Sequence, residues 1–512
     1  MNQPPTPASN PPLNLARWCL GDRAEDPARA HAPAFTFVHE DGHADTWTAA
    51  EAWTRVQRIG RGLLARGLAP GDRVLVRLPH SPDYAFAFLG ATVAGLVPIP
   101  ASPALTDEEA AFLAADSEAA ASITTPALRL TGATGAWVDA SALDALDGAG
   151  PLPETHAEDP AFLIYTSGTT DRPKGVLHAH RTVYGRAMMR EAWQGFQPGD
   201  VTLHAGTLNW SYTLGVGLID PWAAGAHAVL AAGVSGADGW PALMERLGVT
   251  VFAAVPTVYR QMLKYGQPEA HDLSRLRHVL CAGEPLPPTL RDEWRARAGT
   301  EMYESLGMTE VSTYISSGPT IPVRAGSPGR PQPGRRVAIL DADSDSTTPL
   351  LPGQVGLLAV HRSDPGLMLG YWRRPAEQAE VFRGEWFTGG DLASIDADGY
   401  VWFHGRHDDL IKSFGYRLSP VEIEHALSGA PGVLEVAVVG LAVETGKTLV
   451  TACVVPQPDT ALDVAALEAF AAHHLAEYKR PHQYLLQSEP LPRTRNGKVL
   501  RRALIERLTP GA

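Results

Sequence analysis

The residues best suited to bind an anion form one short segment about a third of the way along the chain. Residues 165–175 read Tyr-Thr-Ser-Gly-Thr-Thr-Asp-Arg-Pro-Lys-Gly and overlap an apolar stretch, Ala161–Tyr165. Small hydroxylated residues and glycine let backbone N–H groups approach a phosphate closely, and Lys174 adds a positive charge. The segment is not a Walker A motif, because Pro173 precedes Lys174 and Gly175 follows it. The pattern predicts a phosphate-binding loop, and a flexible surface loop of the same composition is the alternative.

Five further segments carry residues that can hold a nucleotide. In chain order they are Ala282-Gly-Glu-Pro285, Tyr303-Glu-Ser-Leu-Gly-Met-Thr-Glu310, Trp386-Phe-Thr-Gly-Gly-Asp391, Gly405-Arg-His-Asp-Asp-Leu-Ile-Lys412 and Pro492-Arg-Thr-Arg-Asn-Gly-Lys498. Carboxylates can bind a divalent cation or sugar hydroxyls, and a lysine can stabilise developing negative charge. Taken alone, Asp391 fits a turn, Glu310 a helix N-terminus and Lys498 a solvated tail. Each segment alone has an ordinary alternative of this kind, but a chance occurrence of all six segments in one chain is implausible.

In type and order, the six segments resemble the signatures of the adenylate-forming superfamily, which contains acyl- and aryl-CoA ligases, nonribosomal peptide adenylation domains and luciferases. The resemblance spans residues 165–498 and is closest to benzoate-type and medium-chain acyl-CoA ligases. One departure is Asp171, which places a carboxylate where the family usually has glycine. The resemblance implies a nucleotide site formed by Thr166, Ser167, Gly168, Thr169, Thr170, Lys174, Gly283, Glu284, Pro285, Glu304, Ser305, Leu306, Gly307, Met308, Thr309, Asp391, Arg406 and Lys498.

The resemblance implies four catalytic residues, which are Lys174, Thr309, Glu310 and Lys498. Lys174 belongs to the loop that grips the pyrophosphate end of ATP, and Thr309 contacts the α-phosphate. Glu310 helps to hold Mg²⁺, a hard cation that prefers oxygen ligands. Lys498 enters the site to bridge the substrate carboxylate and the α-phosphate, where it stabilises charge in the transition state.

The same resemblance assigns residues to ribose binding, domain motion and the thiol path. Asp391 accepts hydrogen bonds from the ribose hydroxyls, and Arg406 lies near the ribose and phosphate. Asp408 is the hinge about which a small C-terminal domain rotates between two half-reactions. After this rotation the segment of Gly415, Tyr416 and Arg417 faces the acyl-adenylate and opens the coenzyme A path.

The implied reaction joins a carboxylic acid to a thiol and uses ATP, Mg²⁺ and coenzyme A. The acid attacks the α-phosphorus and displaces pyrophosphate, and a thiol then attacks the acyl carbon and expels AMP. The sequence contains no carrier-protein segment after the predicted C-terminal domain, which runs to Ala512, so free coenzyme A is the expected acceptor. A stand-alone enzyme that loads a carrier protein is the alternative. A non-catalytic nucleotide-binding protein is disfavoured, because nucleotide binding alone does not need both Glu310 and Lys498.

The acid pocket is predicted around the segment Asn209–Gly215, which resembles the pocket region of benzoate-type and medium-chain ligases. Aromatic side chains there offer stacking faces, and small residues leave room for a flat ring. The predicted lining is Trp210, Ser211, Tyr212, Ala282, Gly307, Val311 and Tyr314. Core packing of Trp210 and Tyr212 is the alternative, and Thr313 and Tyr314 depart from a benzoate-ligase pattern. An aromatic or medium-chain monocarboxylate is expected.

The composition and net charge of the chain limit the kinds of molecule that it is expected to bind. The chain has 512 residues and a formal net charge of −13, which disfavours nonspecific binding to nucleic acid or anionic membranes. Three scattered cysteines argue against a disulfide framework, and no N-terminal apolar signal or membrane-length apolar run occurs. We therefore expect a cytoplasmic protein that binds neither nucleic acid nor membrane, with a homodimer left open.

The elements that must position these residues alternate between apolar strands and amphipathic helices, as in residues 228–281. This alternation predicts an α/β fold whose large N-terminal domain has two stacked βαβ sheets that are largely parallel. Shorter strands between Arg335 and Phe403 predict a small β subdomain. A strand–strand–helix pattern after Asp408 predicts a small, mobile α+β C-terminal domain. The predicted domains are residues 1–407, the adenylate-forming part, and residues 408–512, the lid.

Overall fold

A computed structural model describes residues 10–130, 135–166, 173–236, 238–284, 286–407, 409–413, 416–444, 447–458, 460–493 and 499–509. The chain divides into two compact units. The first unit comprises Met1–Arg336 and His361–Phe382, and the second comprises Val337–Val360 and Arg383–Ala512. The predicted boundary between residues 407 and 408 stays a prediction.

The strands are numbered in chain order over the described residues. They are β1 (Pro33–Val38), β2 (Ala44–Thr48), β3 (Arg73–Arg77), β4 (Val97–Ala101), β5 (Ala121–Thr124), β6 (Ala136–Asp139), β7 (Pro160–Thr166), β8 (Lys174–Ala179), β9 (Val201–His204), β10 (His227–Ala231), β11 (Val251–Ala254), β12 (His278–Ala282), β13 (Glu301–Met308), β14 (Ser312–Ser316), β15 (Arg330–Pro331), β16 (Val337–Leu340), β17 (Gly356–His361), β18 (Gly370–Tyr371), β19 (Phe382–Arg383), β20 (Trp386–Ile395), β21 (Val401–Arg406), β22 (Ile411–Ser413), β23 (Tyr416–Leu418), β24 (Val433–Glu444), β25 (Lys447–Pro456) and β26 (Gln483–Leu486).

The helices are numbered in the same way. They are α1 (Asp22–Ala24), α2 (Ala49–Ala65), α3 (Pro82–Val93), α4 (Asp107–Asp116), α5 (Thr182–Met189), α6 (Ser211–Leu214), α7 (Asp220–Ala224), α8 (Gly239–Leu247), α9 (Pro256–Tyr265), α10 (Pro288–Ala298), α11 (Pro375–Glu380), α12 (Pro420–Ser428), α13 (Val464–His474) and α14 (Arg501–Leu508). Short 3₁₀ turns cover Pro126–Leu128, Ala140–Ala145, Pro268–Ala270 and Glu477–Lys479, and π-helical turns cover Arg17–Gly21, Arg190–Gln194 and Gly215–Ile219.

The first unit is built on a nine-stranded sheet in the order β15-β14-β13-β12-β11-β9-β10-β1-β2. Its interior strands run parallel, whereas β2, β14 and β15 are antiparallel. The predicted parallel sheet is therefore found in the interior, and its edges differ because β2 and β14 join neighbouring strands through short turns. The parallel strands place the ends of β9, β11, β12 and β13 at one edge, where such sheets commonly carry their sites.

A four-stranded parallel sheet, in the order β4-β3-β5-β6, completes the α/β part of this unit. Residues of both sheets and of helices α2 and α3 share one hydrophobic core. Glycine allows the two helices to approach closely. A Cβ atom on Gly90 would lie only 2.5 Å from Ile59, and one on Gly60 only 2.7 Å from Val93. Thr48 and Glu51 form a capping box that starts α2.

The second unit holds a sheet in the order β16-β17-β20-β19 with β21 added to β20, a ribbon of β22 and β23, and a sheet in the order β24-β25-β26. The strands of the predicted β subdomain fall mostly in this unit, since β16 and β17 share a sheet with β20 and β21. Helix α12 packs against β24 in a separate core. The α/β fold class, with a large N-terminal sheet domain and a smaller C-terminal domain, is confirmed. None of the described helices is both long and apolar enough to cross a membrane.

Candidate active site

The loop after β12 is held close to the start of α6. Gly283 has a φ of +91°, which favours glycine, and a Cβ atom there would lie 3.3 Å from the Trp210 ring. The Thr257 hydroxyl donates to both carboxylate oxygens of the next residue, Glu284, at 3.2 and 3.0 Å. The predicted nucleotide loop is thus fixed by its own backbone conformation and by a contact from α9.

Glu304 fastens this loop to the neighbouring strand. The backbone N–H of Leu286 donates to the Glu304 carboxylate over 3.1 Å. Burial raises the pKa of Glu304 to about 7, although the Leu286 amide and Arg291 oppose that shift. Ser305, the next residue of β13, donates its hydroxyl to the Ile315 carbonyl across the strand pair at 2.8 Å. Glu304 is therefore built into the scaffold of the predicted site.

A tight turn follows β13 and carries the predicted phosphate and metal residues. The strand pairing is irregular between Leu306 and Gly307, where a Cβ atom on Gly307 would lie 2.3 Å from the Ser312 carbonyl oxygen. The Nε2–H of His178 donates to the Thr309 carbonyl at 2.9 Å. Burial lowers the pKa of His178 to about 3, so this imidazole is neutral at physiological pH. His178 therefore holds the turn in place through the Thr309 carbonyl.

Glu310 lies on this turn beside Tyr371, a residue that the sequence did not single out. The Tyr371 hydroxyl donates to the Glu310 carboxylate over 2.8 Å, and the Met368 N–H donates to the Glu310 carbonyl over 2.7 Å. The Lys174 ammonium lies 5.7 Å from the centre of the Tyr371 ring, within cation–π distance. Tyr371 therefore contacts both a predicted phosphate-binding lysine and the predicted metal ligand.

Strand pairing creates this cluster. β7 and β8 are antiparallel with Thr166 opposite Lys174, so the two paired strands flank the predicted phosphate loop, whose residues 167–172 lie outside the described part of the chain. β18 then pairs with β8, and Tyr371 lies opposite Val176. No local pattern around Tyr371 predicts this contact, because the tyrosine is 61 positions from Glu310 in the chain.

Among the described residues, no group of three or more His, Cys, Asp or Glu side chains could hold a metal ion by itself. Glu310 offers a single carboxylate. Such a site fits Mg²⁺ better than zinc or calcium, because Mg²⁺ is commonly bound by one or two carboxylates together with phosphate oxygens and water. The donor set is therefore compatible with a Mg²⁺ ion that arrives with a nucleotide.

The structure brings several of the predicted acid-pocket residues together. The rings of Trp210 and Tyr212 are 5.3 Å apart and nearly perpendicular, and Tyr212 shares a buried cluster with Ala282. Ser211 begins α6, and Val311 and Tyr314 are fully buried around the turn that follows β13. Tyr212 also packs against core residues such as Trp193, so its burial agrees with the core alternative as well. The pocket assignment stays a prediction.

A buried ion pair behind this pocket was not identified from the sequence. Arg186 donates to both carboxylate oxygens of Asp220 at 2.6 and 2.7 Å, and Gln194 donates to the same carboxylate at 2.6 Å. Arg186 also reaches Ser312 at the start of β14, over 3.3 Å. A buried pair of this kind holds its neighbours in place, because removing one partner leaves an uncompensated charge. Arg186 and Asp220 lie 34 positions apart in the chain, so no local pattern predicts this pair.

In the second unit, the predicted ribose residues are adjacent. Asp391 on β20 lies opposite Arg406 on β21, and the guanidinium donates to the carboxylate at 3.0 Å. Tyr416 and Arg417, from the predicted coenzyme A path, belong to strand β23. The other predicted residues lie outside the described part of the chain, namely Ser167, Gly168, Thr169, Thr170, Pro285, Asp408, Gly415 and Lys498.

A family model described as AMP-binding enzyme matches residues 23–372, and one described as AMP-binding enzyme C-terminal domain matches residues 422–498. The chain belongs to the AMP-binding enzyme family. The adenylate-forming resemblance and the prediction of an AMP-forming ligase are thereby confirmed, as is the prediction of ATP as a ligand.

Relatives of this AMP-binding enzyme carry related names. Benzoate--CoA ligase of Thauera aromatica is 33% identical, with 90% of each chain covered. 3-Hydroxybenzoate--CoA ligase of Aromatoleum sp. (strain CIB) is 30% identical, covering 92% of this chain and 93% of the relative. Acyl-coenzyme A synthetase ACSM3, mitochondrial, of Homo sapiens is 29% identical, covering 96% and 88%.

Solved structures of similar proteins match along almost the whole chain. ATP-bound MatB from Rhodopseudomonas palustris has a TM-score of 0.87 and 28% identity, with 97% of this chain and 100% of that chain covered. A benzoate CoA ligase from Burkholderia xenovorans LB400 has a TM-score of 0.85 and 29% identity, with 96% and 100% covered. The similarity thus extends over both compact units of the AMP-binding enzyme.

Proposed function

We propose that this AMP-binding enzyme is an acid–CoA ligase for an aromatic monocarboxylate. It converts the acid and ATP into an acyl-adenylate and pyrophosphate, and then forms the acyl-CoA thioester and AMP. The observation that carries the proposal is the cluster of Lys174, Tyr371 and Glu310, because it joins a cation and an oxygen ligand beside the predicted phosphate loop. The names of the relatives, which include benzoate and hydroxybenzoate ligases, support the acceptor and the acid class.

Separate residues of the chain have separate roles in the first half-reaction, adenylate formation. Lys174 neutralises charge on the pyrophosphate end of ATP, and Thr309 holds the α-phosphate. Adenylate formation requires alignment of the acid with phosphorus more than a general base, so fixed donors and positive charges are the main requirement. The neutral His178 keeps the turn of Thr309 in place through the Thr309 carbonyl and takes no proton from the acid.

Mg²⁺ is the proposed metal, and Glu310 is the residue that would hold it. When bound, Mg²⁺ neutralises phosphate charge and makes the α-phosphorus more open to attack. The Tyr371 hydroxyl orients the Glu310 carboxylate through one of its oxygens, and the other oxygen would be available to a metal ion. Asp391 and Arg406 are the proposed ribose contacts in the second unit.

Coenzyme A is the proposed acceptor, and its path is assigned to Gly415, Tyr416 and Arg417. The acid is assigned to the space beside Trp210 and Tyr212. Two aromatic faces at right angles suit a flat ring, and Ala282 leaves room next to them. A medium-chain acid is the alternative substrate for the same apolar surroundings.

One assay tests the function. The purified protein is incubated with ATP, Mg²⁺, coenzyme A and benzoate, hexanoate, acetate or palmitate, and acyl-CoA, AMP and pyrophosphate are measured by mass spectrometry. We expect benzoyl-CoA and AMP in equal amounts. ADP and phosphate as products, or the absence of pyrophosphate–ATP exchange with every acid, would contradict adenylation. A preference for acetate or palmitate would contradict the acid class, and formation of pyrophosphate without acyl-CoA would favour the alternative acceptor, a carrier protein.

A further inference from the structure

Three adjacent polar side chains are buried beside the proposed acid site without a hydrogen-bond partner among the described residues. They are His204, with both ring nitrogens, Tyr212, with its hydroxyl, and Thr213, with its hydroxyl. Their exposed fractions are only 2%, 9% and 0%. Buried polar groups are almost always hydrogen bonded in folded proteins, because leaving one unpaired carries its full desolvation penalty. Three such groups together indicate a polar ligand atom that the protein itself does not supply.

The local backbone places these three groups together. His204 ends β9, and Tyr212 and Thr213 lie in α6. The rings of His204 and Tyr212 meet edge-on with centres 4.5 Å apart. A Cβ atom on Gly206 would lie 2.2 Å from the Thr213 hydroxyl oxygen and 3.0 Å from His204 Cε1. Glycine at this position therefore lets the histidine and threonine side chains approach one another.

The surroundings of this polar triad, His204, Tyr212 and Thr213, are apolar. Tyr212 shares its cluster with Val216, Leu280 and Ala282, and its ring contacts Trp210. An aromatic acid bound beside Trp210 and Tyr212 would thus meet apolar side chains around the Tyr212 ring and groups able to form hydrogen bonds at the triad. Its own carboxylate cannot fill this place, because that group must reach the α-phosphorus of ATP.

A second buried tyrosine, Tyr259 in α9, shows how a buried hydroxyl is hydrogen bonded elsewhere in this unit. Tyr259 is fully buried, and its hydroxyl donates to the Leu280 carbonyl at 2.8 Å. The Tyr84 hydroxyl likewise reaches two backbone carbonyls at 3.1 Å. The unpaired hydroxyl of Tyr212 is therefore not a general property of the buried tyrosines in this protein.

The chemistry of the triad matches a hydroxyl group. Burial lowers the pKa of His204 to about 3, so the imidazole is neutral and offers one donor and one acceptor. The Tyr212 and Thr213 hydroxyls also donate and accept. A phenolic hydroxyl has the same dual capacity, whereas an alkyl chain or an unsubstituted ring has none.

We propose that His204, Tyr212 and Thr213 bind a hydroxyl group on the ring of the acid, so that the preferred substrate is a hydroxylated aromatic acid. This proposal rests on the proposed acid–CoA ligase function. A site built to hydrogen-bond a substrate hydroxyl rejects the analogue that lacks it, because its buried polar groups are then left unpaired. The triad is therefore a specificity determinant.

The first test compares kcat/KM for benzoate and its 2-, 3- and 4-hydroxy derivatives, measured as acyl-CoA formation. We expect at least one isomer to exceed benzoate by about 5-fold or more, the factor that one hydrogen bond of average strength gives. Failure of all three isomers to exceed benzoate would overturn the proposal. Benzoate turnover in the same experiment would leave the ligase function standing, so the two failures are distinguishable.

The second test uses matched variants with the preferred isomer and benzoate. Tyr212→Phe and Thr213→Val remove a hydroxyl at nearly constant volume, and each should reduce the hydroxyl preference by about 5-fold or more. Tyr259→Phe is the control, and it should leave that ratio unchanged. An unchanged ratio in both triad variants would overturn the proposal.

Folding is measured on the same proteins by urea denaturation without substrate. Tyr259→Phe should lower the urea midpoint, because it removes a hydrogen bond to the backbone. Tyr212→Phe should not lower it, because it removes no such bond. A midpoint that falls equally in both variants would mean that the Tyr212 hydroxyl is satisfied within the protein, and this would also overturn the proposal.

Discussion

Two carboxylates six positions apart, Glu304 and Glu310, occupy opposite kinds of environment. Glu304 lies within β13, accepts a hydrogen bond from the Leu286 backbone and has its pKa raised to about 7 by burial. Glu310 lies on the turn after that strand and accepts a hydrogen bond from Tyr371, the ring of which has its centre 5.7 Å from the Lys174 ammonium. The same side-chain type thus holds a loop in one place and is proposed to offer oxygen to a cation in the other. Position relative to the end of the strand makes the difference.

The largest loss of activity is expected for substitution of Lys498, and the loss in the Glu310 variant is compared with it. Lys498→Ala should reduce adenylate formation by about 10³-fold, because it removes a positive charge from the transition state. Thioester formation from supplied acyl-adenylate should be spared. The measurement is pyrophosphate–ATP exchange alongside acyl-CoA formation from synthetic adenylate. An equal loss in both half-reactions would show that the assigned role of Lys498 is wrong.

Glu310→Gln should come next, with a loss of about 10²-fold in adenylate formation and a higher Mg²⁺ concentration at half-saturation. The amide keeps the size of the side chain and can still accept from Tyr371, but it lacks the charge that attracts a cation. Glu301→Gln, at the start of β13 in an ion pair with the exposed Arg295 at 3.5 Å, is the matched control and should behave like the wild type. An unaltered Mg²⁺ dependence in the Glu310 variant would contradict a metal-binding role.

Tyr371→Phe should have a smaller effect, because it removes only the hydroxyl that orients Glu310 and keeps the ring that faces Lys174. We expect the Mg²⁺ concentration at half-saturation to rise by about 5-fold, the value of one modest hydrogen bond, with a smaller change in kcat at saturating Mg²⁺. Titration of the initial rate with Mg²⁺ measures both quantities. A lower kcat with an unchanged Mg²⁺ concentration at half-saturation would mean that the Tyr371 hydroxyl does not act through the metal site.

Glu304→Gln should have the smallest effect on catalysis and a distinct effect on stability. The folded protein binds the Glu304 proton more tightly than the unfolded chain, so the wild type loses stability as pH rises from about 4.5 to about 7. Glutamine keeps an oxygen for Leu286 without titrating, so the variant should lose about 1 kcal/mol less than the wild type between pH 5 and pH 8.

Urea unfolding of both proteins at the two pH values measures this difference, and kcat serves as the second readout. Parallel pH profiles of stability would mean that the environment of Glu304 does not favour its protonated form. A catalytic loss as large as that of Glu310→Gln would erase the distinction between the two carboxylates.

Several elements follow directly from local pattern. The strands and helices that are expected to alternate over residues 228–281 are found there as β10, α8, β11, α9 and β12. Local pattern succeeds there because apolar periodicity and capping residues act over a few positions. Residues of the site's own motifs, such as Asp391 and Arg406, were identified because their types and order resemble those of a known family.

Other contacts depend on distant parts of the chain. Tyr371 reaches Glu310 only because β18 pairs with β8, and the ion pair of Arg186 and Asp220 joins α5 to α7. The antiparallel edges of the nine-stranded sheet were also not predicted. No local pattern contains the register between strands that are far apart in sequence, so these features could not be predicted in advance.

The sequence by itself determined the family, the α/β class and the order of the motifs, because residue types and spacing are properties of the chain alone. The tertiary structure decided which side chains meet. It paired Tyr371 with Glu310, buried Glu304 under Leu286 and enclosed the unpaired groups of His204, Tyr212 and Thr213. The physical reason is that burial and hydrogen bonding depend on what surrounds a group in space, and those surroundings come from segments that only folding brings together.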